Sequence, residues 1–103
     1  MDTLGVHLRH LRESKGLLLR EVGHSIGLDT ALISKFERDQ RRPTKHQLIS
    51  LSQCYETNPE SLLVLWLSEK ITDEIIGEKL ALEAIQLATQ RIKIIHKENN
   101  INP

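Results

Sequence analysis

The sequence predicts an all-α chain of five short helices followed by one long C-terminal helix. Three observations carry this. The 103 residues include only five glycines and three prolines, and apolar residues recur at spacings of three and four. Aromatic residues make up 3% against 39% hydrophobic residues, so the core must be built mainly from Leu, Ile and Val. Residues 19–38 read as two short helices around a tight turn. Val22 and Ile26 lie one helical turn apart, as do Ile33 and Phe36. Gly23 is small where a close backbone approach is needed, and Gly27 suits a left-handed stop.

The elements follow in order. Thr3 or Asp2 can cap a first helix to about Lys15, with Leu4, Leu8 and Leu11 as its stripe, ended by Gly16. The second helix spans residues 19–26. Leu18 stands where a capping Ser or Thr would serve, so its start is poorly capped. Asp29 caps a third helix over residues 30–38, and residues 39–43 form a polar loop. Thr44 caps a fourth helix to about Cys54, with Leu48, Leu51 and Tyr55 on one face. Asn58, Pro59 and Glu60 supply a cap, a first-turn proline and a first-turn acid. The fifth helix, about residues 59–67, is apolar nearly all round, so both its faces should contact protein. Thr72 or Asp73 opens a helix to about His96, weakened near its start by Gly77. Ala81, Ile85, Ala88, Ile92 and Ile95 form one stripe on it; Leu80, Ala84, Leu87 and Ile94 form a second.

The expected organisation is one domain over residues 1–69, a C-terminal helix over 70–98 and a frayed tail over 99–103. The chain is long enough for one modest core. Its net charge is zero but unevenly placed. Residues 1–50 hold nine Lys/Arg and six Asp/Glu, and residues 51–103 hold five and eight. The half containing the two-helix pattern is therefore the basic one, which bears on an anionic partner. Cys54 is the only cysteine, so no internal disulfide is possible and a reducing compartment fits. The N-terminus lacks an apolar leader core, and the apolar run 62–67 is too short to span a bilayer. A soluble, cytoplasmic chain without a membrane partner is expected.

Two short helices around a glycine turn form a helix-turn-helix, a motif that reads DNA through its second helix. Over about residues 3–67 the chain resembles the Cro and phage-repressor type of helix-turn-helix domain, often called XRE-type. The matching residues are Leu8, Leu11, Arg12, Lys15-Gly16-Leu17, Val22, Gly23, Ile26-Gly27-Leu28, Ile33-Ser34, Glu37-Arg38, Pro43, Leu48 and Leu51, with 58–63 matching the last helix. Three positions depart from the family. Leu19 replaces a common glutamine that meets a phosphate, Leu18 replaces the serine before it, and Asp39 replaces the glycine after Glu-Arg. Aspartate still tolerates a left-handed conformation. The runs Leu-Leu-Leu-Arg-Glu-Val, Asp-Thr-Ala-Leu-Ile-Ser-Lys and Leu-Trp-Leu-Ser-Glu-Lys-Ile resemble a subgroup found near DNA methyltransferase and restriction genes.

The resemblance implies the site. Thr30, Ala31, Ser34 and Lys35 would face base edges: Lys35 can donate to guanine, Ala31 can meet a thymine methyl, and the hydroxyls can bond either way. Arg20, Arg38, Arg41, Arg42 and Lys45 would hold phosphates without reading sequence. The bland alternative is a solvated face and loop, and Glu37 and Asp39 weaken the local field. Arg12 and Glu37 match a structural ion pair between the first and third helices. Trp66 fits the core or a dimer seam, and the stripe Ala81, Ile85, Ala88, Ile92 and Ile95 fits dimerisation.

No catalytic, metal or cofactor site is expected. His7 and His10 lie three apart, but no Cys or acid completes a ligand set. Nothing places a histidine base beside Cys54, and no phosphate loop or carboxylate pair is apparent. The expected function is a sequence-specific regulator of transcription. It would act as a homodimer on palindromic double-stranded DNA, as a repressor or restriction-modification controller, with no small-molecule substrate. The competing reading is a protein-interaction module or antitoxin with little DNA reading of its own.

Overall fold

The computed structural model describes residues 1–99; most of the expected tail, residues 100–103, lies outside them. Six α-helices follow one another, and no strand occurs among the described residues. They are α1 (Leu4–Ser14), α2 (Leu19–Ile26), α3 (Thr30–Glu37), α4 (Lys45–Cys54), α5 (Pro59–Ile75) and α6 (Ala81–Glu98). Two compact units divide the chain, Met1–Lys70 and the residues from Ile71 onward.

The first unit is built on one core. Leu4 and Leu8 enter from α1, Val22 from α2, Ile33 and Phe36 from α3, Leu48 and Leu51 from α4, and Leu62 and Trp66 from α5. Tyr55, just past α4, completes it. Leu11, Leu17, Leu19, Ile26 and Leu28 pack against this core but keep part of their surface exposed. Cys54 is likewise only partly buried, so the fourth helix does not carry its thiol fully inside.

One stop device ends four successive helices. Leu17 N donates to Arg12 O, Leu28 N to Gly23 O, Gln40 N to Lys35 O and Thr57 N to Ser52 O, at 2.9–3.1 Å. Each bond spans a left-handed residue, respectively Gly16, Gly27, Asp39 and Glu56. This is the closing bond of a Schellman turn, which satisfies carbonyls the helix leaves orphaned. Two of the four turns thus use a side chain where glycine would be less strained.

The N-terminus of α1 explains one of them. Thr3 Oγ1 accepts from Val6 N as the cap. Asp39, at φ 58°, accepts from Gly5 N at 2.9 Å and from the Thr3 hydroxyl. Glu69 accepts from Leu4 N at 2.8 Å. Two carboxylates distant in sequence therefore close the positive end of α1. The aspartate that departs from the family pattern has a structural role here.

Two expected boundaries are corrected. α5 does not stop near Leu67 but runs on to Ile75. No glycine or proline interrupts residues 60–76, so Thr72 and Asp73 lie inside the helix instead of capping a new one. The expected continuous helix from 72 to 96 is instead broken at 76–80, around Gly77, and α6 begins at Ala81 with no side-chain cap. Both glycine entropy and the missing cap disfavour continuation there.

The Tyr55 side chain is fully buried, and its hydroxyl has no hydrogen-bond partner among the described residues. Burial, with Glu37 nearby, pushes the phenol above its ordinary range. The folded chain therefore holds the proton longer than the unfolded chain, and stability falls as pH rises past about 10. Tyr55→Phe is expected to be neutral or to stabilise by up to about 1 kcal/mol, because it removes an unsatisfied polar group. Denaturant titrations of both chains from pH 8 to 11 should show their difference widening with pH; a constant gap or a destabilised variant would contradict it.

Candidate nucleic-acid interface

The α2–turn–α3 unit is held from three sides. Arg12 donates to Glu37 through Nε at 2.7 Å and through a terminal nitrogen at 3.0 Å, and to Leu17 O at 2.9 Å. One guanidinium thus joins α1, the end of α3 and the turn leading into α2. The pair is almost fully covered, and the Glu37 hydrogen bond raises the Arg12 pKa. At the turn itself, a Cβ on Gly23 would stand 2.7 Å from Leu28 O, so only glycine lets the chain fold back this closely. Asp29 then caps α3, accepting from Ala31 N at 2.9 Å.

The start of α2 follows the sequence departures. Leu18 has no side-chain acceptor, and only the reciprocal half of a capping box forms, with Glu21 accepting from Leu18 N at 2.8 Å. Leu19 packs its side chain against the core. It therefore offers no polar group in place of glutamine, and Arg20 beside it is the exposed cation of this turn.

α3 divides cleanly into two faces. Ile33, Phe36 and Glu37 are buried. Thr30, Ala31 and Lys35 are exposed, and Ser34 is half-buried. Positions 30, 31, 34, 35 and 38 share one side of a helix of 3.6 residues per turn. Arg38 is exposed, and its Nε lies 3.4 Å from Ser34 O, so it lies back over the end of its own helix. Arg41 and Arg42 are exposed in the following loop, and exposed Lys45 opens α4. Among the described residues no three His, Cys, Asp or Glu side chains converge as a metal site. No helix among them is long and apolar enough to cross a membrane.

Residues 3–65 match the family model described as a helix-turn-helix domain. The chain belongs to the helix-turn-helix domain family. The clp gene regulator ClgR from Corynebacterium glutamicum has a similar crystal structure, with a TM-score of 0.56 at 19% identity. That similarity covers 96% of this chain and 92% of the other, and shows a shared fold. Among curated proteins, none matches.

Outside the helix-turn-helix pair, the apolar surface is arranged differently from the expectation. Of the two places expected for Trp66, core or dimer seam, it takes the core: it is buried, and its indole N–H donates to Pro43 O at 2.8 Å, with Lys70 Nζ 4.5 Å from the ring centre. Its surface is used within the helix-turn-helix domain, because an indole N–H in a core needs an acceptor. Val64, Leu67 and Ile71 are the exposed apolar residues of α5 instead. Their spacing of three and four, out of phase with Leu62 and Trp66, is the signal that could have found them. On α6, Ala81 is half-buried and Ile85, Ala88, Ile92 and Ile95 are exposed.

Proposed function

We propose that this protein is a dimeric, sequence-specific regulator that binds double-stranded DNA. The observation that carries the reading is the free face of α3. Thr30, Ala31 and Lys35 are exposed and Ser34 is half-buried, opposite the buried face that packs the helix on the core. Such a helix inserts into the major groove, where these side chains meet base edges. Arg20, Arg38, Arg41, Arg42 and Lys45 flank the pair in sequence and supply phosphate contacts that fix register. In a dimer, two copies read half-sites about one helical turn apart. Leu19 leaves the α2 start without one neutral donor, so Arg20 carries that end alone. Repression, or control of restriction-modification genes, is the narrower reading that the sequence likeness supports.

Selection from a random DNA pool tests this, and should enrich a palindrome. Lys35→Ala is expected to relax preference at one base position by about 1–3 kcal/mol, whereas Arg42→Ala weakens all sequences alike and flattens the salt dependence. With roughly six phosphates neutralised per dimer, the log–log salt slope is about −5. Equal affinity for random DNA, or affinity independent of salt, would rule the reading out. The exposed apolar residues of α5 and α6 favour a second reading, a module that binds protein and little DNA. Its mark would be co-purification with a partner and no enriched sequence.

A further inference from the structure

We propose that two copies of α6 pair antiparallel to form the seam of a homodimer. The inference rests on the dimeric reading above and adds the identity and direction of the paired elements.

None of the 18 residues of α6 is buried. Leu87, Ile92, Ile94 and Ile95 keep about half their surface in water and Ile85 more than a third. A helix of this length is only marginally stable in water unless its apolar face is covered. Charge selects what covers it. The turn into α6 and its first turns carry Glu78 and Glu83 against Lys79 alone. Its second half carries Arg91, Lys93 and Lys97 against Glu98 alone. A second copy running parallel would set acid beside acid and base beside base. A second copy running antiparallel sets each acidic end beside a basic one and opposes the helix dipoles.

The stripe has the same polarity in size. Its early end is small, at Ala81, and its late end is bulky, at Ile92 and Ile95. Reversing one copy places small beside large, the pairing that lets layers interdigitate. Antiparallel helices with Ala81 opposite Ile95 set their first residues roughly 20 Å apart, so the two chains enter the seam from opposite ends, whereas parallel helices enter it from one end.

Thiol crosslinking of the full chain tests the direction. Cys54→Ala supplies a background without cysteine, since Cys54 is the only one. Ala81→Cys and Ile95→Cys are made separately in it, then co-expressed with different tags and treated with a short thiol crosslinker. In the antiparallel pair the two copies of position 81 lie about 20 Å apart. The expected result is a link between the A81C and I95C chains and none within either alone. Self-linking of A81C or I95C chains shows parallel pairing and overturns the proposal, as does an unlinked mixture. Leu82→Cys with His96→Cys provides a second pair with the same expectations if A81C or I95C lowers helix content by circular dichroism. Sedimentation separates the two readings. A monomeric wild-type chain overturns both the seam and the dimer, while a dimer with no α6 link overturns the seam alone. DNA selection on the wild-type chain reports on base reading whatever the seam.

Discussion

Arg12→Ala is expected to lower the unfolding free energy by about 3–5 kcal/mol, a loss of roughly 12–40 °C in Tm for a domain of this size. The guanidinium makes two hydrogen bonds to Glu37 and one to Leu17 O. Its removal strands the Glu37 carboxylate in a site where the side chain is only 6% exposed. The cost arises from that stranded charge, since a paired buried ion is itself of little net benefit. Arg12→Met with Glu37→Leu should therefore recover much of the loss, although either truncation alone is severe. Thermal unfolding of the three variants decides it. A single-variant loss below about 1 kcal/mol, or a double variant no better than Arg12→Ala, would contradict the account. DNA binding should fall only in proportion to the unfolded fraction, because neither residue is assigned to the DNA.

Gly5→Ala is the second large effect. A Cβ at this position would press on Phe36 O and the Asp39 carboxylate, and would lie 2.8 Å from Glu37 O. Two of these three obstacles are backbone carbonyls at the end of α3, so side-chain rotation cannot relieve the clash. Overpacking of this kind costs about 3 kcal/mol, and here it would also push Asp39 away from the α1 N-terminus. Gly77→Ala is the matched control. A Cβ there meets nothing within 4 Å, so a change of a few tenths of a kcal/mol, in either direction, is expected. Urea unfolding of both variants checks the contrast, and equal stabilities would mean the α1–α3 approach is looser than it stands in the structure.

These two sites differ in how far the sequence revealed them. The Arg12–Glu37 pair is visible in the family pattern, as charged residues at fixed places in helices that must cross. Gly5 carries no such mark, because a glycine in a first helical turn is ordinary until the opposing carbonyls are known. Asp39 lies between these cases. Its place where glycine is usual signalled a left-handed turn, yet not the bonds to Gly5 and Thr3 that make use of its carboxylate.

Local chemistry accounts for the helical class, for α2 and its left-handed stop at Gly27, and for the caps at Thr3, Asp29, Thr44 and Asn58. Each depends on residues within one or two turns, so periodicity and side-chain type suffice. The outward positions of α3 follow as well, because Ile33 and Phe36 settle which side turns inward. Contacts between distant residues decided the rest. Glu69 and Asp39 closing α1, Trp66 turning inward onto Pro43, and Leu19 packing on the core all depend on which surfaces the fold brings together. The end of α5 shows the difference most plainly. A threonine and an aspartate at 72 and 73 look like a cap, but they form one only where the preceding chain leaves the helix, and here α5 continues past them to Ile75.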